Sequence, residues 1–125
     1  MNKDKKVYIA EDEINIRLGV KAFLENAGYS VMDFENGDLL MDAFFQNPPD
    51  LVILDIMMPG TSGFAVCKEL RKTSGIPIIL LTARASDLDY NTGFDLGCND
   101  YVTKPFSTTD LVSRVDGFFN LMEAK

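Results

Sequence analysis

The sequence predicts an α/β fold in which one parallel β-sheet carries helices on both faces. Two observations predict it: five short apolar segments alternate with amphipathic segments along the 125 residues, and the apolar segments are unbroken, as in strands buried on both faces. Hydrophobic residues make up 46% of the chain and charged residues 25%, as in an ordinary globular domain. We therefore expect a single domain over residues 1–125.

The first two strand and helix pairs occupy the N-terminal part of the chain. The first strand is predicted at Val7–Ala10, and Gly28 is the expected stop of the helix that follows. Residues at helical spacing give that helix an apolar face, namely Ile16, Val20, Phe23, Leu24 and Ala27. The second strand is predicted at Ser30–Phe34, and Asn36 leads into a helix that ends before Pro48. The apolar residues of this second helix are Leu40, Met41, Phe44 and Phe45.

The third and fourth strands are uninterrupted apolar runs. Leu51–Leu54, within LVILDIMMPG, is bounded by turn-forming residues on both sides and predicts the third strand. After the loop at Pro59–Gly63, a third helix turns Cys67 and Leu70 inward. The fourth strand is predicted at Ile76–Thr82.

The C-terminal part of the chain carries two helix-start signals. Ser86 is the predicted N-cap of the fourth helix, with Asp89 three residues on. A short fifth strand is predicted at Asp100–Thr103, and the last helix starts at Ser107, with Asp110 at the matching offset. The predicted buried face of this helix comprises Leu111, Val115, Phe118 and Met122.

Composition excludes several classes of function. A net charge of −7, with 12 basic against 19 acidic residues, argues against a nucleic-acid-binding surface. Cys67 and Cys98 lack CxxC spacing and the chain has no histidine, so neither a disulfide framework nor a zinc site is expected. The initial MNKDKK is no secretion signal, and no apolar run is long enough to span a bilayer. A cytoplasmic location without membrane contact is therefore expected.

Polar side chains follow four of the five predicted strands. In open α/β sheets, sites form outside the carboxyl ends of the strands. The polar groups there are Glu11, Asp12 and Glu13 after the first strand, Asp55 after the third, Thr82 after the fourth and Lys104 after the fifth. Alone, each has a structural explanation: Asp12 or Glu13 caps a helix, or Asp55 accepts backbone N–H groups of the next loop. Taken together, these polar groups at one edge of the sheet predict a functional site there.

The chemistry of this set favours phosphoryl transfer. The carboxylates of Glu11, Asp12 and Asp55 repel one another, and Mg²⁺ would relieve the repulsion because it prefers a few hard oxygen ligands. The metal and Lys104 would draw an anion toward Asp55, and an aspartate can form an acyl phosphate. Positioning and electrostatics supply most of the catalysis in such transfers, so no histidine base is needed.

Four segments together resemble the receiver domain of two-component response regulators: EDE, LDIMMPGTSG, LTA and DYVTKPF. The resemblance runs from about Lys5 to Leu121 and is greatest to receivers of the class that carry a winged-helix DNA-binding domain. It implies a flavodoxin-like (βα)5 doubly wound sandwich, with a five-stranded parallel sheet in the order 2-1-3-4-5.

The resemblance also assigns roles at the site. It implies that Asp55 is the phosphorylated residue, that Glu11 and Asp12 form the acidic pocket for Mg²⁺, and that the backbone carbonyl of Met57 completes the protein ligands. Mn²⁺ could substitute for Mg²⁺. Lys104 would contact the phosphoryl group, and the chain would catalyse its own phosphorylation and slow autodephosphorylation.

A switch is implied as well. Thr82 would turn its hydroxyl toward the phosphoryl group, and Tyr101 would change rotamer, altering the surface of the fourth helix, fifth strand and last helix. The alternative for Tyr101 is an aromatic side chain that only packs. Three further residues flank the site, namely Ala83, Arg84 and Pro105, the last with a possible cis peptide bond. Because the apolar Met57 places no base there, we expect a long-lived phosphorylated state.

The implied partners are a sensor histidine kinase or phosphotransfer protein. DNA would be reached only through an output domain absent from this chain. Receivers of this class dimerise through the fourth helix, fifth strand and last helix, but several charges that such dimers pair are altered here. The altered positions are Tyr90, Asn99 and Asp116, whereas Asp100 and Arg114 keep the pattern. Val112 and Phe119 form an apolar patch on the last helix or are scattered surface hydrophobes.

Other functions predict different residues at this edge. A degenerate receiver that acts as a phosphorylation-independent interaction module would not need the intact set of acidic, hydroxyl and lysine side chains. A flavin-binding electron carrier of similar topology needs a phosphate cradle after the first strand, where EDE would repel a flavin phosphate. A haloacid-type phosphatase needs a second aspartate two residues after Asp55, where Met57 stands.

Overall fold

A computed structural model describes residues 4–123 as a five-stranded parallel sheet between two layers of helices. The strands are β1 (Lys6–Ala10), β2 (Ser30–Phe34), β3 (Leu51–Leu54), β4 (Ile78–Thr82) and β5 (Asp100–Thr103). The helices are α1 (Ile14–Asn26), α2 (Gly37–Gln46), α3 (Gly63–Arg71), α4 (Asp87–Asp95) and α5 (Thr108–Glu123). The sheet order is β2-β1-β3-β4-β5, which confirms the predicted fold class and strand order. None of the helices described between residues 4 and 123 is long and apolar enough to cross a bilayer.

Alternate residues of the central strands build two separate apolar cores. Tyr8 and Val52 point into the core beneath α2 and α3, whereas Ile9 and Ile53 point into the core beneath α1 and α5. All four side chains are buried, because helices cover both faces of the sheet. This explains why these strands have no alternation of polar and apolar residues.

Helix α1 buries a narrower face than its sequence predicts. Val20 and Leu24 are buried and Ile16 is partly buried, but Phe23 and Ala27 are exposed, so the prediction for these two is wrong. One row of residues at intervals of four, Ile16, Val20 and Leu24, suffices to pack this helix on the sheet. The backbone then leaves the helix through Gly28, whose φ of +104° a residue with a Cβ rarely adopts.

Two other predictions of burial need correction. On α5, Phe119 is fully buried, and its ring centroid lies 5.3 Å from that of Tyr29 in a tilted arrangement. Phe119 therefore does not contribute to a surface patch. The buried face runs through Leu111, Val115 and Phe119 at intervals of four residues, which leaves Phe118 only partly buried. The described side chains end at Leu121, so the prediction for Met122 lies outside them.

Two further segments differ from their predictions. On α2, Phe45 is exposed and meets its buried neighbour Phe44 edge to face. Strand β4 starts at Ile78 instead of Ile76, because Pro77 lacks the N–H that a ladder hydrogen bond requires. The Pro77 carbonyl still accepts the Val52 N–H at 3.0 Å.

Candidate phosphoryl-acceptor site

The polar residues that follow β1 and β3 lie side by side at one edge of the sheet. Strands β1 and β3 are neighbours, with Ala10 paired to Leu54, so the residues after them meet. The Asp55 N–H donates to the Ala10 carbonyl at 3.0 Å, and the Glu11 N–H donates to the Phe34 carbonyl of β2 at 3.0 Å. Sheet register therefore fixes the backbones of both acidic residues.

Three carboxylates converge there. One oxygen from each of Glu11, Asp12 and Asp55 lies within 4.8 Å of the others. Glu11 and Asp55 are buried, whereas Asp12 is exposed and lines an open cleft of about 370 Å³ together with Glu35 and Pro59. The cluster is therefore accessible from solvent on the side of Asp12.

Lys104, which follows β5, joins the two buried carboxylates. Its Nζ lies 2.7 Å from Glu11 Oε1 and 2.8 Å from Asp55 Oδ2. Burial opposes the charge on this amine, but its contacts with Asp55 and Glu11 outweigh burial and raise the pKa of Lys104. The cation is thus held in the protonated form between two strand ends.

The carboxyl group of Glu11 is incompletely neutralised. Burial raises the pKa of Glu11 to about 7, with Asp55 adding to the rise, although Lys104 and the Glu13 N–H oppose it. Among residues 4–123, no hydrogen-bond donor is aligned on the buried Oε1 of Glu11, despite the close ionic contact with Lys104. A buried carboxylate whose charge is disfavoured by burial, beside two further carboxylates, fits a divalent cation with oxygen ligands, so the donor set suits Mg²⁺.

Backbone contacts orient Asp55 from the following loop. Its Oδ1 accepts the Met57 N–H at 3.1 Å, which turns the carboxylate back toward its own loop. A Cβ at Gly63 would lie 2.2 Å from the Asp55 carbonyl oxygen, so only glycine allows α3 to start this close to the acidic residue. This requirement was not predicted from the sequence, where its only signal is a glycine directly after Ser62, the observed N-cap of α3.

The loop after β1 is held by a capping residue and an arginine. Glu13 is the N-cap of α1 and accepts the N–H groups of Asn15 and Ile16, so of the two candidates for this role it is Glu13 that caps. Arg17 Nη1 donates to the Glu11 carbonyl at 2.8 Å while its Nε donates to Asp33. Sequence reasoning missed Arg17, since nothing in its local pattern distinguishes it from a surface arginine.

The two residues of the predicted switch, Thr82 on β4 and Tyr101 on β5, both contact the loop between β4 and α4. Thr82 is fully buried and its Oγ1 accepts the Arg84 N–H at 3.4 Å. The Tyr101 hydroxyl donates to the Arg84 carbonyl at 2.7 Å, and burial raises the pKa of Tyr101 to about 12. Tyr101 therefore occupies an inward position in this structure. Its ring meets Tyr90 edge to face at 4.5 Å.

The remaining flanking residues are exposed. The side chains of Met57, Ala83 and Pro105 face solvent around the acidic cluster, and the Lys104–Pro105 peptide bond is cis. Arg84 is also largely exposed but is held by contacts with α3 and α4.

The residues of the predicted dimer surface have partners within the chain. Arg114 Nη1 lies 2.8 Å from Asp100, and the Tyr29 hydroxyl donates to Asp116. The Asn99 side-chain oxygen accepts the Ile78 N–H at 2.8 Å and a donor from Arg71 at 2.7 Å. These internal contacts engage groups that a dimer would otherwise use. A homodimer through this surface stays a prediction.

Comparisons with known proteins agree with this geometry. The family model described as "Response regulator receiver domain" matches residues 7–116. The "Probable transcriptional regulator ycf27" of Guillardia theta is 46% identical over 111 residues, which are 89% of this chain and 44% of that protein. The chain thus spans less than half the length of this curated relative.

Solved structures show the same likeness. A Francisella response regulator receiver domain superposes with a TM-score of 0.90 at 31% identity, covering 95% of this chain and 99% of the other. DrrB of Thermotoga maritima, an OmpR/PhoB homologue, gives a TM-score of 0.88 at 32% identity, covering 95% of this chain and 54% of that protein.

Proposed function

The chain belongs to the response regulator receiver domains of two-component systems, whose general function is a phosphorylation switch, and we propose that Asp55 is its phosphoryl acceptor. The donor would be a sensor histidine kinase or a phosphotransfer protein. One observation carries the proposal: Lys104 Nζ lies within 2.8 Å of Asp55, at a strand end where three carboxylates meet.

Asp55 supplies the nucleophile. One of its carboxylate oxygens bonds to phosphorus while the bond from phosphorus to the donor atom breaks, and the electron pair of that bond leaves with the donor. A carboxylate oxygen is itself the nucleophile, so the step needs no separate general base. Lys104 contacts the same carboxylate and offsets charge on the transferred group.

Glu11, Asp12 and Asp55, with the Met57 carbonyl, would hold Mg²⁺. When bound, the metal would offset negative charge on the acceptor and on the transferred phosphoryl group. The buried Glu11 oxygen without an aligned donor supports this assignment. Mn²⁺, with similar oxygen ligands, would substitute for it.

The signal would leave through α4, β5 and α5. Thr82 ends the strand next to β3, and its hydroxyl would turn toward the phosphoryl group on Asp55. Tyr101 would follow through the loop that both residues contact, and the exposed surface would change. Control of transcription would need a DNA-binding output domain, and a relative named as a probable transcriptional regulator shares 44% of its length with this chain.

Intact-mass measurement tests the acceptor. The protein is incubated with acetyl phosphate and Mg²⁺, and Asp55→Asn is treated in parallel. We expect the native chain to gain one phosphate, and we expect neither the variant nor a sample with excess EDTA to gain it. An unlabelled native chain under these conditions would favour the alternative, a phosphorylation-independent interaction module.

A further inference from the structure

Arg84 connects three elements around the proposed switch. It lies in the loop between β4 and α4, two residues after Thr82. Its backbone N–H donates to Thr82 Oγ1 at 3.4 Å, and its backbone carbonyl accepts the Tyr101 hydroxyl at 2.7 Å. The same residue therefore touches both members of the proposed switch through its main chain.

The side chain of Arg84 is anchored on α4. Its Nη2 lies 2.6 Å from Asp89 Oδ1, and the Asp89 side chain is only 12% exposed. The other oxygen of this carboxylate, Oδ2, accepts the Ser86 hydroxyl at 2.7 Å, and the Asp89 N–H donates to Ser86 Oγ at 3.1 Å. Because the carboxylate is fixed by the helix cap, the guanidinium that meets it is fixed too.

A second anchor comes from α3. The guanidinium carbon of Arg84 lies 5.5 Å from the ring centroid of Phe64, within the range of a cation–π contact. The side chain thus ties the loop to α3 and α4 at once.

We propose that Arg84 is a positioning residue for the switch: its ion pair with Asp89 holds the loop carbonyl where the Tyr101 hydroxyl reaches it, and so favours inward Tyr101. This inference rests on the proposed function, in which Tyr101 reports the state of Asp55. The acceptor of the hydroxyl is a main-chain atom, so removing the Arg84 side chain leaves that hydrogen bond chemically possible and changes only its position.

The Arg84–Asp89 ion pair affects the fraction of molecules in which Tyr101 is inward. A switch with two Tyr101 positions responds to any contact that one position satisfies better than the other. By favouring the inward position, the Arg84–Asp89 pair sets the balance between the two Tyr101 positions from which phosphorylation of Asp55 starts. Loss of the pair shifts that starting balance toward the outward position.

The test observes the tyrosines of the unphosphorylated protein. The chain has 4 tyrosines and no tryptophan, so fluorotyrosine labelling gives few ¹⁹F resonances, and Tyr101→Phe assigns the relevant one. The change in ¹⁹F chemical shift of this resonance between H₂O and D₂O distinguishes a buried Tyr101 ring from an exposed one. Arg84→Met should raise the ratio of outward to inward Tyr101 about five-fold, the effect of losing a partly exposed ion pair. Arg84→Lys should restore most of the inward population.

Further variants separate positioning from general destabilisation. Asp89→Asn removes the charge but keeps an oxygen for the Ser86 hydroxyl, so it tests the pair even if Arg84→Met folds poorly. The double variant should shift Tyr101 no further than either single variant, because the two residues act as one pair. Lys72→Met, which breaks the exposed Lys72–Glu69 pair at the C-terminal end of α3, is the matched control and should leave Tyr101 inward.

An unchanged Tyr101 resonance in folded Arg84→Met or Asp89→Asn would overturn the inference, as would additive shifts in the double variant. Labelling of Asp55 is measured by mass on the same samples. Failure of the native chain to accept a phosphate rejects the proposed function alone, since the tyrosine measurement needs no phosphate.

Discussion

Two cations in this protein each contact two carboxylates, but their surroundings differ. The pairs are Lys104 with Glu11 and Asp55, at 2.7 and 2.8 Å, and Arg114 with Asp100 and Asp110, at 2.8 and 2.9 Å. The side chain of Lys104 is 18% exposed and that of Asp55 5%, whereas Arg114 is 40% and Asp110 52% exposed. Similar distances therefore accompany very different degrees of desolvation.

The difference shows where charge is available for chemistry. Solvent screens the contacts of Arg114, so they contribute little to stability and nothing concentrates an anion there. The contacts of Lys104 lie in a partly dehydrated pocket, where the carboxylates of Glu11 and Asp55 are buried. A cation between buried carboxylates at strand ends can act on a reacting group, whereas one on a helix surface cannot.

The largest effect is expected from removing the buried cation. Lys104→Met should slow labelling by acetyl phosphate about 100-fold, the loss typical when one preorganised electrostatic contact to the reacting group is removed. Arg114→Met, the matched control, should label at the native rate. Time courses of intact mass give both rates. Equal labelling rates for the two variants would show that the charge of Lys104 does not accelerate phosphoryl transfer.

A smaller effect is expected from the exposed member of the acidic cluster. Asp12→Asn replaces a charged carboxylate ligand with a neutral amide oxygen and should weaken Mg²⁺ binding by about ten-fold or more, since even partners outside the first coordination sphere contribute that much. The shift of thermal unfolding with Mg²⁺ concentration measures the affinity. Asp95→Asn removes the same charge at the end of α4 and should bind Mg²⁺ as the native chain does; similar losses in both would indicate only a general charge effect.

An ion pair of intermediate exposure should affect the pH dependence of stability. Burial alone would raise the pKa of Asp33, but its contacts with Lys21 and Arg17 outweigh burial and hold that pKa below its usual value. The unfolded chain then binds more protons than the folded one, so this contribution to the free energy of unfolding is present above pH 3.8 and is lost as pH falls through the folded pKa.

Asp33→Asn tests that contribution by urea unfolding at several pH values. The native chain should be more stable than the variant at neutral pH, and the difference should shrink as the medium is acidified. Asp42→Asn, at an exposed position on α2, should show no such trend. A difference independent of pH would mean that the charge on Asp33 does not produce it.

The smallest effect is expected from the exposed cation itself. Arg114→Met should lower the free energy of unfolding by less than about 1 kcal/mol, because exposed ion pairs gain little over hydration. The same denaturant titrations measure it. A larger loss would mean that the contacts with Asp100 and Asp110 are not screened as their exposure suggests, and the comparison with Lys104 would lose its basis.

The sequence predicts the strands and the acidic cluster well because both depend on order along the chain. Leu51–Leu54 matches its predicted bounds, and the residues after neighbouring parallel strands have to meet at one edge. Exposure on helices is predicted less well. Phe23 on α1 is exposed although its spacing predicts burial, and Phe119 on α5 is buried although it is a candidate surface residue, because packing decides which face of a helix meets the sheet. The close approach of Gly63 to Asp55 depends on tertiary packing, which no local pattern carries.

Locating the phosphoryl group tests the central claim most directly. Borohydride reduces an acyl phosphate to an alcohol, so treatment after incubation with acetyl phosphate and Mg²⁺ marks the acceptor, and tandem mass spectrometry of the digested protein gives its position. The account predicts conversion of residue 55 to homoserine, with no conversion when EDTA is present. Conversion at Glu11 or Asp12, or at no acidic residue while the protein binds Mg²⁺, would contradict it.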